Sequence, residues 1–294
     1  MLPKGKTMRF TTHTLLDDGV LEREFTLAGF TGILWMPPTA TPSSPAPLLL
    51  LNQPGGLGTR RMYPRLVARA RAAAAEGFAS VTIELPGTGD RPPLPGADEA
   101  RADLRAALAA GEKPSDDVID RLILPLVDAA VPDWQTTLDA MLALPEIGTR
   151  VGFSGGVIAV GVRLAATDPR IAAAGLFAGS YVPRSAVEEA RGIGIPIHVL
   201  LQWDDEGNDR QAALDLFDAF GSREKTLVAN MGGHTGVPVF AGEDAGRFFV
   251  RHLRDDDPSR VRACTTRADN QTGPKSTTPT RRCVGPEVCI LQES

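Results

Sequence analysis

The chain has 294 residues, 43% of them hydrophobic, enough for one large core or two small ones. A formal charge of −5 argues against nucleic acid as a partner. No apolar run approaches the roughly 20 residues of a membrane helix, so no membrane association is expected. The three cysteines, Cys264, Cys283 and Cys289, lie near the C-terminus, so nothing upstream can form a disulfide or a cysteine metal site. The start carries two lysines but no apolar stretch behind them, and a cytoplasmic protein is expected.

Read in chain order, residues before Pro47 are rich in β-branched and aromatic types with no helical period. "VLEREFTLAG" and "FTGILWMP" read as an antiparallel edge hairpin. "PLLLLNQ" is a continuous apolar run, as expected of a strand covered on both faces. "RRMYPRLVARARAAAAEGF" reads as a helix ended by Gly77, and "ASVTIELPG" as a strand and turn. Residues 96–131 form a helical insertion, followed by a separate helix from Pro132. "RVGF" is a strand and "GVIAVGVRLAAT" a helix. "IAAAGLFAGS" and "IPIHVLLQW" are strands, with only a short connection between them. "DRQAALDLFDAFG", "EKTLVANMG" and "EDAGRFFVRHL" complete the alternation as helix, strand and helix. Such alternation implies right-handed crossovers and a mostly parallel sheet flanked by helices. Residues 1–254 are therefore one α/β domain. The polar, Pro/Thr-rich residues 255–294 read as a disordered tail.

Chemistry concentrates at three loops. Ser154 stands in Gly-Phe-Ser-Gly-Gly, between a short strand and a small-residue helix. A strand-to-helix turn there strains the central residue and lifts its hydroxyl above the sheet edge, beside helix amides that can face an oxyanion. Of the four histidines, His13 and His252 read as solvated and His198 as a core residue. His234 follows a strand in the Gly-rich loop "VANMGGHTGVP", where a base is useful. "LLQWDDEGND" ends another strand with Asp204, Asp205 and Glu206, one of which suffices to orient an imidazole. Serine, acid and histidine thus follow three different strands, in that order.

The segments "LLLLNQPGG", "ASVTIELPGTGDRP", "VGFSGG", "PIHVLLQWDDEGND" and "MGGHTG" resemble the α/β-hydrolases, in particular the dienelactone-hydrolase-like and small serine esterase branches. The resemblance spans about residues 47–253. It implies a nucleophile at Ser154, a base at His234 and an acid at Asp205, with Asp204 as the second choice. Relatives carry a His-Gly-Gly-Gly run where this chain reads Asn52-Gln53-Pro54-Gly55-Gly56, and Pro54 has no N–H to donate. The oxyanion donors are then expected at Gly55 and Gly155. Gln53 either braces this loop or meets substrate, and Trp203 is a candidate pocket wall. The function expected is hydrolysis of a small or medium carboxylic ester through an acyl-enzyme, without cofactor or metal. A thioesterase, a lactonase, a cofactor-free lyase and a non-hydrolytic binding protein share the same parts.

Overall fold

A computed structural model of the chain describes residues 7–205 and 208–254. The expected C-terminal tail and Glu206 lie outside them.

The described residues form a nine-stranded sheet with seven helices. In chain order the strands and helices are β1 (Arg9–Leu15), β2 (Leu21–Leu27), β3 (Phe30–Met36), β4 (Ala46–Asn52), α1 (Thr59–Ala75), β5 (Ala79–Ile83), α2 (Ala97–Ala109) and α3 (Asp116–Met141). They continue with β6 (Ile147–Gly155), α4 (Ile158–Thr167), β7 (Ile171–Phe177), α5 (Arg184–Ala190), β8 (Ile197–Gln202), α6 (Arg210–Ala219), β9 (Lys225–Asn230) and α7 (Val239–Leu253). Spatial order is β1-β2-β3-β5-β4-β6-β7-β8-β9, antiparallel up to the β3–β5 pair and parallel from β5 onward.

Burial explains the layering. The central strands are apolar on both faces because helices cover both. Leu48 and Leu50 join Trp134, Ile158 and Val160 in one core, while Leu49 and Leu51 join Met62, Leu66, Phe248 and Phe249 in the other. Helices α3 and α4 therefore pack on one face, α1 and α7 on the opposite one. In α1 the buried Met62, Leu66, Ala70 and Ala74 recur every four residues, as a one-sided helix requires. Its N-cap, Gly58, has no side chain to offer, and Glu84 accepts from the Thr59 amide instead.

Four local expectations change. The first is β1, an edge strand with an almost wholly exposed face that contains His13; exposed alternation leaves little hydrophobic signal. The second is α3, which runs unbroken through Pro125 and Pro132 where two helices were expected. Its buried face from Ile119 to Met141 is continuous, and that packing outweighs two missing N–H groups. The third is α5, a short helix inside the connection between β7 and β8. The fourth is β6, which continues two residues past Phe153, and this decides the geometry of the site.

Candidate active site

The parallel strands all end at one edge, and the loops leaving β4, β8 and β9 carry Gln53, Asp205 and His234. Two of them meet. Asp205, at the end of β8, has a side chain only 3% exposed, and its Oδ2 lies 2.8 Å from Nδ1 of His234. Asp204 is exposed and uses its amide on the Gly232 carbonyl, so Asp205 is the partner of the imidazole. The histidine loop is fixed by Gln202, whose Nε2 donates to the Gly233 carbonyl at 3.1 Å, and by a Gly236-to-Gly233 turn bond. The Phe177 ring, at the end of β7, meets the His234 ring edge-on at 5.6 Å between centroids. The imidazole is half exposed. With Nδ1–H donated to the carboxylate, Nε2 keeps its lone pair for another partner.

Ser154 is placed differently from the sequence expectation. It is a residue of β6, paired in register with Leu51 of β4 and Gly175 of β7. Its Oγ takes a hydrogen bond from the guanidinium of Arg69 in α1 at 3.0 Å, and the same nitrogen donates to the Ser154 carbonyl at 2.9 Å. Burial lowers the Arg69 pKa to about 10, which leaves it charged at neutral pH. Among the described residues no hydrogen bond joins Ser154 to His234.

The sharp turn expected at Ser154 falls three residues later. Val157 has φ 48° and ψ 71°, one of two non-glycine residues with positive φ among those described, and α4 begins at the next residue. A β-branched side chain in this region costs about 1–3 kcal/mol and persists only when its surroundings over-determine it. Here Gly155 and Gly156 allow the approach. Gly155 has φ +142°, and a Cβ on it would lie 2.2 Å from the Asn52 carbonyl oxygen. The Asn52 side chain in turn donates to the Gly156 carbonyl and accepts from the Trp134 indole. Val157 itself is buried and faces Gly55, where an added Cβ would sit 3.8 Å from a Val157 methyl.

The remaining expected residues divide. Gly55 lies over the Val157 turn, but Gly155 is the last residue of β6, not the residue after the turn. That residue is Ile158, and its N–H donates to Ser180 Oγ at 3.2 Å. Gln53 is a brace: fully buried, its Nε2 donates to Thr59 Oγ1 and to the Ile83 carbonyl. Trp203 packs partly into the core and carries the Arg210 guanidinium over its ring at 4.3 Å.

Arg69, Val157 and Ser180 were not singled out by their sequence context. One signal existed for Val157: Gly155-Gly156-Val157-Ile158-Ala159 also has small residues two places either side of its centre, and that centre immediately precedes the helix.

Among the described residues no group of three His, Cys, Asp or Glu is placed to hold a metal ion, and no helix is long and apolar enough to cross a membrane. No protein-family model matches the chain, and no curated protein matches it. Solved structures do. A PEG-bound cold-adapted esterase from an Arctic intertidal metagenomic library is similar at 26% identity and TM-score 0.64, over 82% of this chain and 97% of its own. An acetyl xylan esterase from Paenibacillus sp. R4 matches at 16% identity and TM-score 0.60, covering 86% and 90%. Acetyl xylan esterase 1 from Thermoanaerobacterium sp. JW/SL YS485 matches at 14% and 0.57, covering 84% and 88%.

Proposed function

We propose that this chain, which has the α/β-hydrolase fold, cleaves a small or medium carboxylic ester, with His234 as the base and Asp205 holding it. The observation that carries the reading is the 2.8 Å bond between a buried carboxylate and a half-exposed imidazole at the sheet's carboxyl edge. Burying Asp205 would be costly without a charged-form partner, and the imidazolium formed during proton transfer is that partner. The ester is favoured by the similar structure at 26% identity, itself described as an esterase. The two acetyl xylan esterases contribute the fold alone.

The reading departs from the acyl-enzyme expected from sequence. The turn that presents a nucleophile in this fold carries Val157, whose side chain has no oxygen, while Ser154 is engaged by Arg69 within β6. Water is therefore the attacking group. As its oxygen bonds to the carbonyl carbon, Nε2 takes one water proton and the C=O π electrons move to the carbonyl oxygen. Collapse of that intermediate restores C=O and breaks the bond to the alcohol, which leaves with the proton returned from His234. General-base catalysis of this kind contributes on the order of 10²–10⁴ in rate.

The test is turnover of p-nitrophenyl acetate, butyrate and octanoate, beside a thioester and a lactone, by wild type and His234→Ala. The expected outcome is ester turnover in the wild type that falls at least about 10²-fold in the variant. Equal turnover in both proteins overturns the assignment. A second reading, a binding protein without turnover, is favoured by one contact: Ser180 Oγ already occupies the Ile158 amide on which a substrate oxygen would rest. Tight binding of an ester that is never cleaved would select it.

A further inference from the structure

We propose that the Ser180 hydroxyl is the oxyanion donor of this site, standing in for the backbone amide that the turn would otherwise present; the inference rests on the ester reading above. Three contacts place the segment that carries it. Phe177 meets the His234 ring, the Ala178 carbonyl accepts from the Asn208 side chain three residues beyond Asp205, and Ser180 Oγ accepts from the Ile158 N–H at 3.2 Å. Gly179 makes the bend possible, since a Cβ there would lie 2.2 Å from the Phe177 ring. Segment 177–181 thus reaches from the imidazole to the first turn of α4.

At that point the helix needs a cap. Val157 is its N-cap residue and makes no side-chain bond. Ser180 satisfies the Ile158 amide by accepting, which leaves the hydroxyl proton available to another acceptor. A hydroxyl that accepts from a helix N-terminal amide is polarised toward donation by the helix dipole and by the bond it receives. A carbonyl oxygen gaining negative charge is the acceptor that profits most. No proton is transferred in this role. Ser180 donates a hydrogen bond to the oxygen while the proton bookkeeping stays with His234 and water. A pure capping role would stabilise α4 and contribute nothing to catalysis.

The experiment measures binding of an alkyl phosphonate monoester, a stable mimic of the tetrahedral anion, by calorimetry, alongside ester kinetics. Wild type, Ser180→Ala, Ser180→Thr and His234→Ala are compared, with thermal melting as the fold control. Ser180→Ala is expected to weaken phosphonate binding and lower kcat on the order of 10²-fold with KM little changed, and Ser180→Thr to restore both. His234→Ala keeps phosphonate binding while losing turnover. If the wild type binds the phosphonate through Ser180 but turns over no ester, the base reading fails and the donor assignment stands. Absence of phosphonate binding by the wild type, or equal binding by Ser180→Ala, overturns the donor assignment; so does a variant that loses only melting temperature.

Discussion

Val157 holds a left-handed backbone that its branched side chain disfavours, at the one position of this edge where a strand must become a helix within two residues. Ser154, three residues earlier, is held from below by a charged guanidinium that also grips its carbonyl and contacts the Asn52 carbonyl. There it is a half-buried polar residue that accepts from a desolvated arginine. Ser154 and Asp205 therefore make opposite predictions on substitution. Ser154→Ala removes one of three hydrogen bonds to Arg69 and is expected to leave ester turnover within a few-fold of wild type. Asp205→Asn keeps the shape but removes the charge that stabilises an imidazolium, and turnover should drop on the order of 10²–10⁴-fold. Steady-state kinetics on the two proteins checks both. A collapse in Ser154→Ala with intact folding would return the nucleophile to that residue.

At the scale of elements, the parallel strands, their helices and the edge hairpin were legible because buried strands are apolar runs and glycines punctuate them. What stayed hidden was set by contacts distant in sequence. Pro132 looked like a helix start because proline favours the first turn; only the unbroken buried face of α3 shows that the helix continues through it. Strand β1 was invisible because six of its seven side chains are exposed, leaving no alternation to detect. The pairing of Asp205 with His234 agrees with positions named from their loops alone, each just past the end of a strand. The turn that the Gly-x-Ser-x-Gly match places at Ser154 lies three residues later, at Val157. The match fixes residue types, whereas the position of the turn depends on how far β6 stays in its ladder. Ladder pairing of Gly155 with Asn52 and Leu176 carries the strand past the serine.

On the scale of the whole molecule, two cores of unequal composition share the central sheet, and one contains a titratable group that the site does not use. His198 in β8 is 4% exposed and lies against the Phe248 ring of α7 at 5.4 Å. Burial lowers its pKa from the model-peptide value of 6.5, with the Asp244 carboxylate opposing the shift. Because the folded pKa is depressed, the unfolded chain binds the proton more readily. This contribution to stability is complete above pH 6.5 and is lost as pH falls through the lower folded pKa. Replacing His198 with leucine should therefore flatten the fall in melting temperature as the pH drops below 6.5. An unchanged slope would mean that the acid sensitivity arises elsewhere.

Under the proposed reading, Val157 and not Ser154 occupies the strand-to-helix turn from which a nucleophile would face His234. The most direct measurement is intact mass and peptide mapping after treatment with a fluorophosphonate, for wild type, Val157→Ser and Val157→Ser/His234→Ala. The expected result is no adduct on wild type, one adduct at position 157 in the single variant, and strongly slowed labelling in the double variant. A stoichiometric adduct on Ser154 of the wild-type chain would contradict it.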